Sequence, residues 1–266
     1  MSDEHILIEK HVLLEKRGGV LTLTINRPEK KNALTRAMYA ALGQAIDGAA
    51  NDPQVRCVLI QANGETFTAG NDLADFMAVN SGDGDAGRAE ANPLLAALAR
   101  ATVPLVAAVQ GRAVGVGTTM LLHCDLVFVA EDALLTTPFV NLALVPEAAS
   151  SLLLPARIGH ARAFAMFVLG EAVDGVTAAA WGIANVAVPA VELRARARAA
   201  AEAIAARPPS AVAITKALMR EAAEVLTARM AQEGVHFTAQ LKSPEAAEAF
   251  AAFAQKRAPD FGKAGA

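Results

Sequence analysis

The sequence predicts an α/β protein with a helical C-terminal region, and three observations carry that prediction. Short runs rich in Val, Leu, Ile and Thr alternate with segments of helical periodicity. Two glycine loops each stand between an apolar run and a helix-like segment. From residue 190 onward the alternation gives way to Ala-rich helical sequence. The 266 residues are 54% hydrophobic and 19% charged, enough to bury a sizeable core in one large domain or in a domain with an appendage. We divide the chain into a core over 1–200 and a helical region over 201–266.

The first strands are "VLTLTI" (20–25), "RCVLIQA" (56–62) and "VPLVAAVQG" (103–111), the last ending at a glycine. Between the first two, "LTRAMYAALGQAIDGAAND" (34–52) repeats its apolar residues at helical spacing. Thr35 is its N-cap, and Gly48 and Asn51 mark its end. Strand, helix, strand is the order of a buried sheet covered by helices. Residues 78–92 are polar and Gly-rich, too long for a mere connection, and are open to two readings, a lid or slack chain. In "ELRARARAAAEAIAA" (192–206) the arginines from Arg194 to Arg198 are spaced by two, which reads as a solvated face. Pro208-Pro209 stops that helix. Ser210 is expected to cap the next one, and the serine of "SPEAAEAFAAFAQKRAPDF" (243–261) starts the last. There Phe250 and Phe253, three apart, form a helix-face pair.

The net charge of −3, with no lysine-rich helix, argues against a nucleic-acid or anionic-membrane surface. Neither cysteine, Cys57 or Cys124, has metal-ligand spacing, so no metal is expected. The N-terminus lacks a basic stretch followed by an apolar one, and no run of 18 apolar residues occurs. The expectation is a cytoplasmic protein without a membrane span.

The two loops are "GETFTAGNDLADF" (64–76) and "VQGRAVGVGTTMLLHCDL" (109–126). Gly70 precedes Asn71 and Asp72, and Gly115 and Gly117 flank Val116. Such turns leave backbone N–H groups free at a helix start, and two of them can converge as an oxyanion hole. Each taken singly is equally a tight strand-to-helix turn. The spacing of "GRAVGVG" fits neither a phosphate loop nor, fully, a dinucleotide fingerprint.

Four motifs in order make the chain resemble the enoyl-CoA hydratase/isomerase, or crotonase, family over nearly its whole length. They are "INRPEKKNALT" (25–35), "ETFTAGNDLADF", "PLVAAVQGRAVGVGTTMLLHCDL" and "SPEAAEAFAAFAQKRAPDF". The resemblance implies a spiral of β-β-α repeats followed by helices that build a homotrimer, or a hexamer of two trimers. It implies acyl-CoA thioester substrates, coenzyme A being part of the substrate and no separate cofactor being needed. The oxyanion N–H groups are implied at Asn71 and Val116, beside Gly115. A valine there is tolerable only if its φ is not positive. Lys30, Lys31, Ala33 and Ala69, with Asp72 and Leu73 of the loop signature, match positions around the CoA moiety. Phe253 and Lys256 match positions that touch CoA from a neighbouring subunit. Asp72 is expected to cap a helix, and His123, His160 and Asp125 to be structural.

Hydratases of this family use two glutamates. One of those positions here is Thr119 and the other is Phe139. Neither side chain can take a proton from water at neutral pH. Eight residues after Phe139, in "NLALVPEAASSLLLP", stands Glu147, in the slot where isomerase branches carry an acid. One carboxylate suffices to move a proton from one carbon to another, and apolar surroundings raise its basicity. Phe139 is then a wall against water. The implied activity is a Δ3,Δ2-enoyl-CoA isomerase of fatty-acid β-oxidation with Glu147 as acid and base. The alternatives are a hydratase using a Thr119-held water, and a non-catalytic acyl-CoA-binding protein.

Overall fold

A computed structural model describes residues 5–72, 77, 80 and 92–264. Leu73 and nearly all of the 78–92 stretch lie outside the described residues. The strands are β1 His5–Glu9, β2 Val12–Arg17, β3 Val20–Ile25, β4 Cys57–Ala62, β5 Leu105–Val109, β6 Arg112–Val114, β7 Leu126–Ala130, β8 Leu134–Thr136, β9 Val173–Asp174 and β10 Val186–Val188. The helices are α1 Arg36–Asn51, α2 Pro93–Arg100, α3 Val116–Thr119, α4 Ser150–Ile158, α5 His160–Phe164, α6 Gly175–Trp181, α7 Leu193–Ala205, α8 Pro209–Met219, α9 Ala223–Leu241, α10 Pro244–Ala254 and α11 Phe261–Ala264.

Seven strands form one sheet in the order β1-β2-β3-β4-β5-β7-β10. It is antiparallel from β1 to β3 and parallel from β3 to β10. A second sheet has the order β6-β8-β9. The chain alternates between them. The strands β3, β4 and β5 are each followed by a short segment that pairs with its counterpart in the next turn. Leu34 bridges to Asn71, Thr68 to Ala113, and Ala113 to Leu135, all in parallel. This stack of turns is the β-β-α spiral that the motifs imply.

All six residues of β3 and all five of β5 are buried, as a sheet covered on both faces requires. The α1 and α2 helices pack on one another, and α7 packs on β4, β5 and β7. Thr35 caps α1, its hydroxyl accepting from Met38 N at 3.3 Å. Gly43 allows the α1–α2 approach, because a Cβ there would lie 2.6 Å from the Pro93 carbonyl. Ser243 caps α10 by accepting from Ala246 N at 3.0 Å, and Pro244 takes the first helical position. Phe250 is buried, whereas Phe253 is exposed, so they are not a pair on one packed face.

Two expectations about α7 and α8 need correction. The arginines of 194–198 form a solvated face only in part: Arg194 and Arg196 are exposed, but Arg194 and Arg198 also reach the strands. Arg194 and Arg198 stand one turn apart on the same side of α7, as i and i+4 residues do. Arg194 donates to Ala62 O and to Asn63 Oδ1, and Arg198 donates to Arg17 O and Thr22 Oγ1. They clasp α7 to the ends of β4 and β2 and to the middle of β3. Ser210 is not an N-cap either. Pro209 already occupies the first helical position of α8, and Pro208 flanks it without a side-chain bond. Among the described residues no helix is long and apolar enough to cross a membrane.

The helix crossing yields a paired expectation. Gly43→Ala forces a Cβ against the Pro93 backbone and should lower stability by about 1–3 kcal/mol. Gly48→Ala, on the same helix with nothing within 4 Å, should raise it by up to about 1 kcal/mol. Chemical denaturation of the two variants checks both signs.

Candidate active site

The two glycine loops meet at a cavity of about 400 Å³, whose wall includes Ala69, Gly70, Asn71, Gly115 and Phe139. Asn71 is fixed from its backbone outward. Leu34 N donates to Gly70 O at 2.8 Å and Asp72 N to Leu34 O at 3.1 Å. In a parallel bridge the residue between those two bonds turns its own N–H away from its partner, so the Asn71 N–H faces away from Leu34. The second loop is clamped by Thr118, whose hydroxyl bonds Ala113 O at 2.7 Å and Thr136 O at 3.0 Å. The positive φ that the turn requires, +56°, falls on Gly115 and not on Val116. Val116 opens α3, where an N–H has no intrahelical acceptor. Its side chain is fully buried in the core. The valine is therefore accommodated without strain.

Glu147 is reached from the same wall. The Asn71 side chain hydrogen-bonds the Glu147 carboxylate, and Tyr39 on α1 donates its hydroxyl to Asn71 Oδ1 at 2.5 Å. With Oδ1 occupied by that donor, Nδ2 is the atom that Asn71 turns to the carboxylate. Glu147 does not itself line the cavity; it stands one hydrogen bond away, through Asn71. Part of the residue reaches the surface, but Oε1 is buried and has no hydrogen-bond partner among the described residues. Burial, and then the charge of Glu233, push the Glu147 carboxyl up to about 7, against a smaller lowering by the Asn71 bond. Tyr39 is raised as well, by burial and by Glu147, and stays a donor.

The turn after Glu147 is unusual. Ala148 and Ala149 both adopt left-handed backbone, with φ of +63° and +54°. Each is costly for a residue with a Cβ, so the surroundings must hold it. His123 bonds Ala148 O at 2.8 Å through Nε2. A carbonyl only accepts, so Nε2 carries the proton and Nδ1 accepts from Arg220 at 3.2 Å. Burial foremost, together with the charges of Arg220, Arg157 and Lys216, pushes the imidazole down to about 4, so it is neutral. From the other side Glu233, on α9, accepts from Ala149 N at 2.6 Å, Ser151 N at 2.9 Å and Ser151 Oγ at 2.6 Å.

Thr119 is fully buried, and its hydroxyl has no partner among the described residues, so it is not bonded to backbone there as a helix-start threonine would be. Phe139 lines the cavity, its ring tilted against that of Phe167 with centroids 6.1 Å apart. Asp72 pairs with Arg27 at 2.8 Å, which ties the first loop to the end of β3; the residues it is expected to cap, 73–76, lie outside the described ones. Lys30 is exposed, and Lys31 and Asn32 have left-handed backbone. Asn32, fully buried, accepts from Arg27 N and donates to Asn63 O and Thr66 O, stitching "EKKNALT" to the first glycine loop. Ala69 N bonds Lys31 O at 2.9 Å, which brings the 30–33 and 69 positions together. Phe253 lies at the cavity mouth, and Lys256, exposed with φ of +53°, stands just beyond α10. Asp125 is structural as expected, accepting from Leu105 N and Lys216 Nζ, both at 2.7 Å. His160 touches only Phe164 among the ring contacts. No group of three His, Cys, Asp or Glu that could hold a metal occurs among the described residues.

Sequence reasoning singled out neither Tyr39 nor Glu233. For Glu233 a signal existed. It shares the buried stripe of α9 with Leu226, Met230 and Phe237, and an acid on an apolar stripe asks for a partner.

Comparisons with known proteins agree with this geometry. Residues 15–264 match the family described as enoyl-CoA hydratase/isomerase. The chain is 31% identical over 255 residues to the 1,2-epoxyphenylacetyl-CoA isomerase of Escherichia coli, covering 94% of this chain and 97% of that one. It is 33% identical over 244 residues to a probable enoyl-CoA hydratase of Rhodobacter capsulatus, covering 91% and 94%. A crystal structure of an enoyl-CoA hydratase/isomerase from Pseudoalteromonas atlantica superposes with a TM-score of 0.89 at 43% identity, over 95% of this chain and all of that one. With the spiral fold, the paired glycine loops and a match over residues 15–264, the chain belongs to the enoyl-CoA hydratase/isomerase family.

Proposed function

We propose that the protein shifts a double bond in an acyl-CoA thioester, from the 3- to the 2-position, with Glu147 as its single acid and base. The observation that carries this reading is the chemistry left around the cavity. The two hydratase glutamate positions hold a buried threonine and a buried phenylalanine. The buried Glu147 carboxylate is held at the wall by Asn71. The other nearby carboxylate, Glu233, has both oxygens engaged by three donors and is not free to orient a water.

The steps follow from the residues. The thioester carbonyl enters between the N–H groups of Asn71 and Val116. Ionised Glu147 takes a proton from C2, and negative charge develops on the carbonyl oxygen, where the two donors stabilise it; loss of one such donor typically costs about 10²–10³ in rate. The dienolate then collects the proton at C4 from Glu147, now the acid. A carboxyl pKa near 7 makes the group competent in both directions. Phe139 and the apolar wall keep water from the dienolate. Lys30, Lys31, Ala33 and Ala69, with Leu73, are proposed to hold the CoA moiety, which arrives as part of the substrate, so no separate cofactor takes part. Phe253 and Lys256 are proposed to meet CoA across a subunit contact. The exposed Ile214, Leu218 and Met219 on α8 support assembly as a homotrimer or a dimer of trimers. Fatty-acid β-oxidation in the cytoplasm is the proposed setting; two buried free cysteines accord with a reducing compartment.

The hydratase reading retains one specific support, the unpartnered Thr119 hydroxyl in the second loop. Supplying 3-enoyl-CoA and 2-enoyl-CoA separately divides the readings. Isomerisation should exceed hydration by at least tenfold, and the reverse order sinks the proposal. Glu147→Gln should lower kcat by about 10²–10⁴; unchanged activity, or none in the parent protein, points to a different base or to a binding protein. In the parent, kcat/KM should fall tenfold per unit below an acid limb near pH 7, because the base must be ionised. The folded state binds the Glu147 proton more tightly than the unfolded chain, so stability should fall as pH rises from about 4.5 to about 7, by up to ~3 kcal/mol. Glu147→Gln should flatten that fall in thermal melts taken across the range.

A further inference from the structure

Glu147 is aimed by a turn that α4 cannot hold by itself. The N-cap of α4 is Ala149, which has no side chain to satisfy the exposed N–H groups. The carboxylate that satisfies them comes from another helix, 82 to 84 residues along the chain. Its Oε2 accepts the Ala149 N–H, and its Oε1 accepts both the N–H and the hydroxyl of Ser151. An acid at a helix N-terminus is favoured by the dipole, and acceptance at both oxygens favours the ionised form. The contacts hold Ala149, the second of the two left-handed residues that follow Glu147, and Ser151 just beyond it.

We propose that Glu233 is the positioning residue for Glu147, capping α4 in trans and so holding the 147–151 turn in the form that presents the base. The inference rests on the reading of Glu147 as that base. Glu233 never touches substrate; it acts through the turn and through its charge. The charged and titratable groups that face this pair are few. Tyr39 and the neutral His123 lie on the Glu147 side, the latter through Ala148 O. Arg229, one turn earlier on α9, and Ser151 lie on the Glu233 side. Burial raises the Glu233 carboxyl against its donors, while its charge adds to the raised carboxyl of Glu147. Two buried carboxylates thus divide the labour. One is tied down by donors and stays fixed, and the other keeps an unpartnered oxygen for a proton.

The test is Glu233→Gln in the full-length protein, assayed with a 3-enoyl-CoA over pH, beside Glu147→Gln. The amide presents an N–H to one of the three donors, so the turn loosens, and it removes the charge. The expected result is a 10- to 100-fold fall in kcat with KM changed less than threefold, and an acid limb displaced downward by about one pH unit. Glu233→Asp, which keeps the charge, should leave the limb in place and restore part of kcat. A fall in kcat with the limb unmoved, or kcat and limb both unchanged, overturns the inference while the role of Glu147 stands. Activity surviving in Glu147→Gln brings down both. Should Glu233→Gln fail to fold, Ser151→Ala removes one donor from the same contact. A three- to tenfold fall in kcat at constant KM is then expected, and an unaltered kcat overturns the inference.

Discussion

A carboxylate out of water is expensive, and the site is organised around keeping one there. Burial alone would neutralise Glu147 or expel it toward solvent. The single amide of Asn71 offsets part of that cost, and Tyr39 prevents the amide from turning over. The backbone behind Glu147 is held in a conformation that alanine rarely adopts, by a histidine on one side and a glutamate on the other. Each support comes from a different part of the chain: α1, the segment after α3, and α9. The spiral brings them together, so the placing of Glu147, the proposed base, depends on the whole fold and not on the local sequence "PEAASS".

The same constraint bears on the proposed oxyanion donors, which are backbone groups. A donor on a flexible side chain would have to be ordered as charge develops. The N–H groups of Asn71 and Val116 are fixed by sheet bridging and by the start of a short helix. The strain of the second loop is confined to Gly115, which has no Cβ to resist it. Val116 is then free to be any residue that packs. The apolar wall contributed by Phe139 completes the arrangement, because electrostatic stabilisation is strongest where water is excluded.

Much of this was legible in the sequence, and the failures have physical causes. The β3 run from 20 to 25 matched its strand residue for residue, and Thr35 capped α1, because both rest on local chemistry. Glu147 stood out because it is a charge among apolar residues. Glu233 did not, because α9 also carries exposed charges, and only helix phase separates the buried one from the rest. The arginines of α7 read as a solvated face, which Arg196 is, but the first and third fall on one side of the helix and bond strands distant in sequence. The pairing of Asp72 with Arg27 was not legible, because the two stand 45 residues apart, beyond what local pattern can show.

The central claim, one base serving two carbons, is tested most directly by following the transferred hydrogen. A 3-enoyl-CoA deuterated at C2 should, in ordinary water, give 2-enoyl-CoA that carries part of the label at C4, because the buried Glu147 returns the proton it took before solvent replaces it. Product with solvent hydrogen alone at C4 from the earliest turnovers would contradict the account.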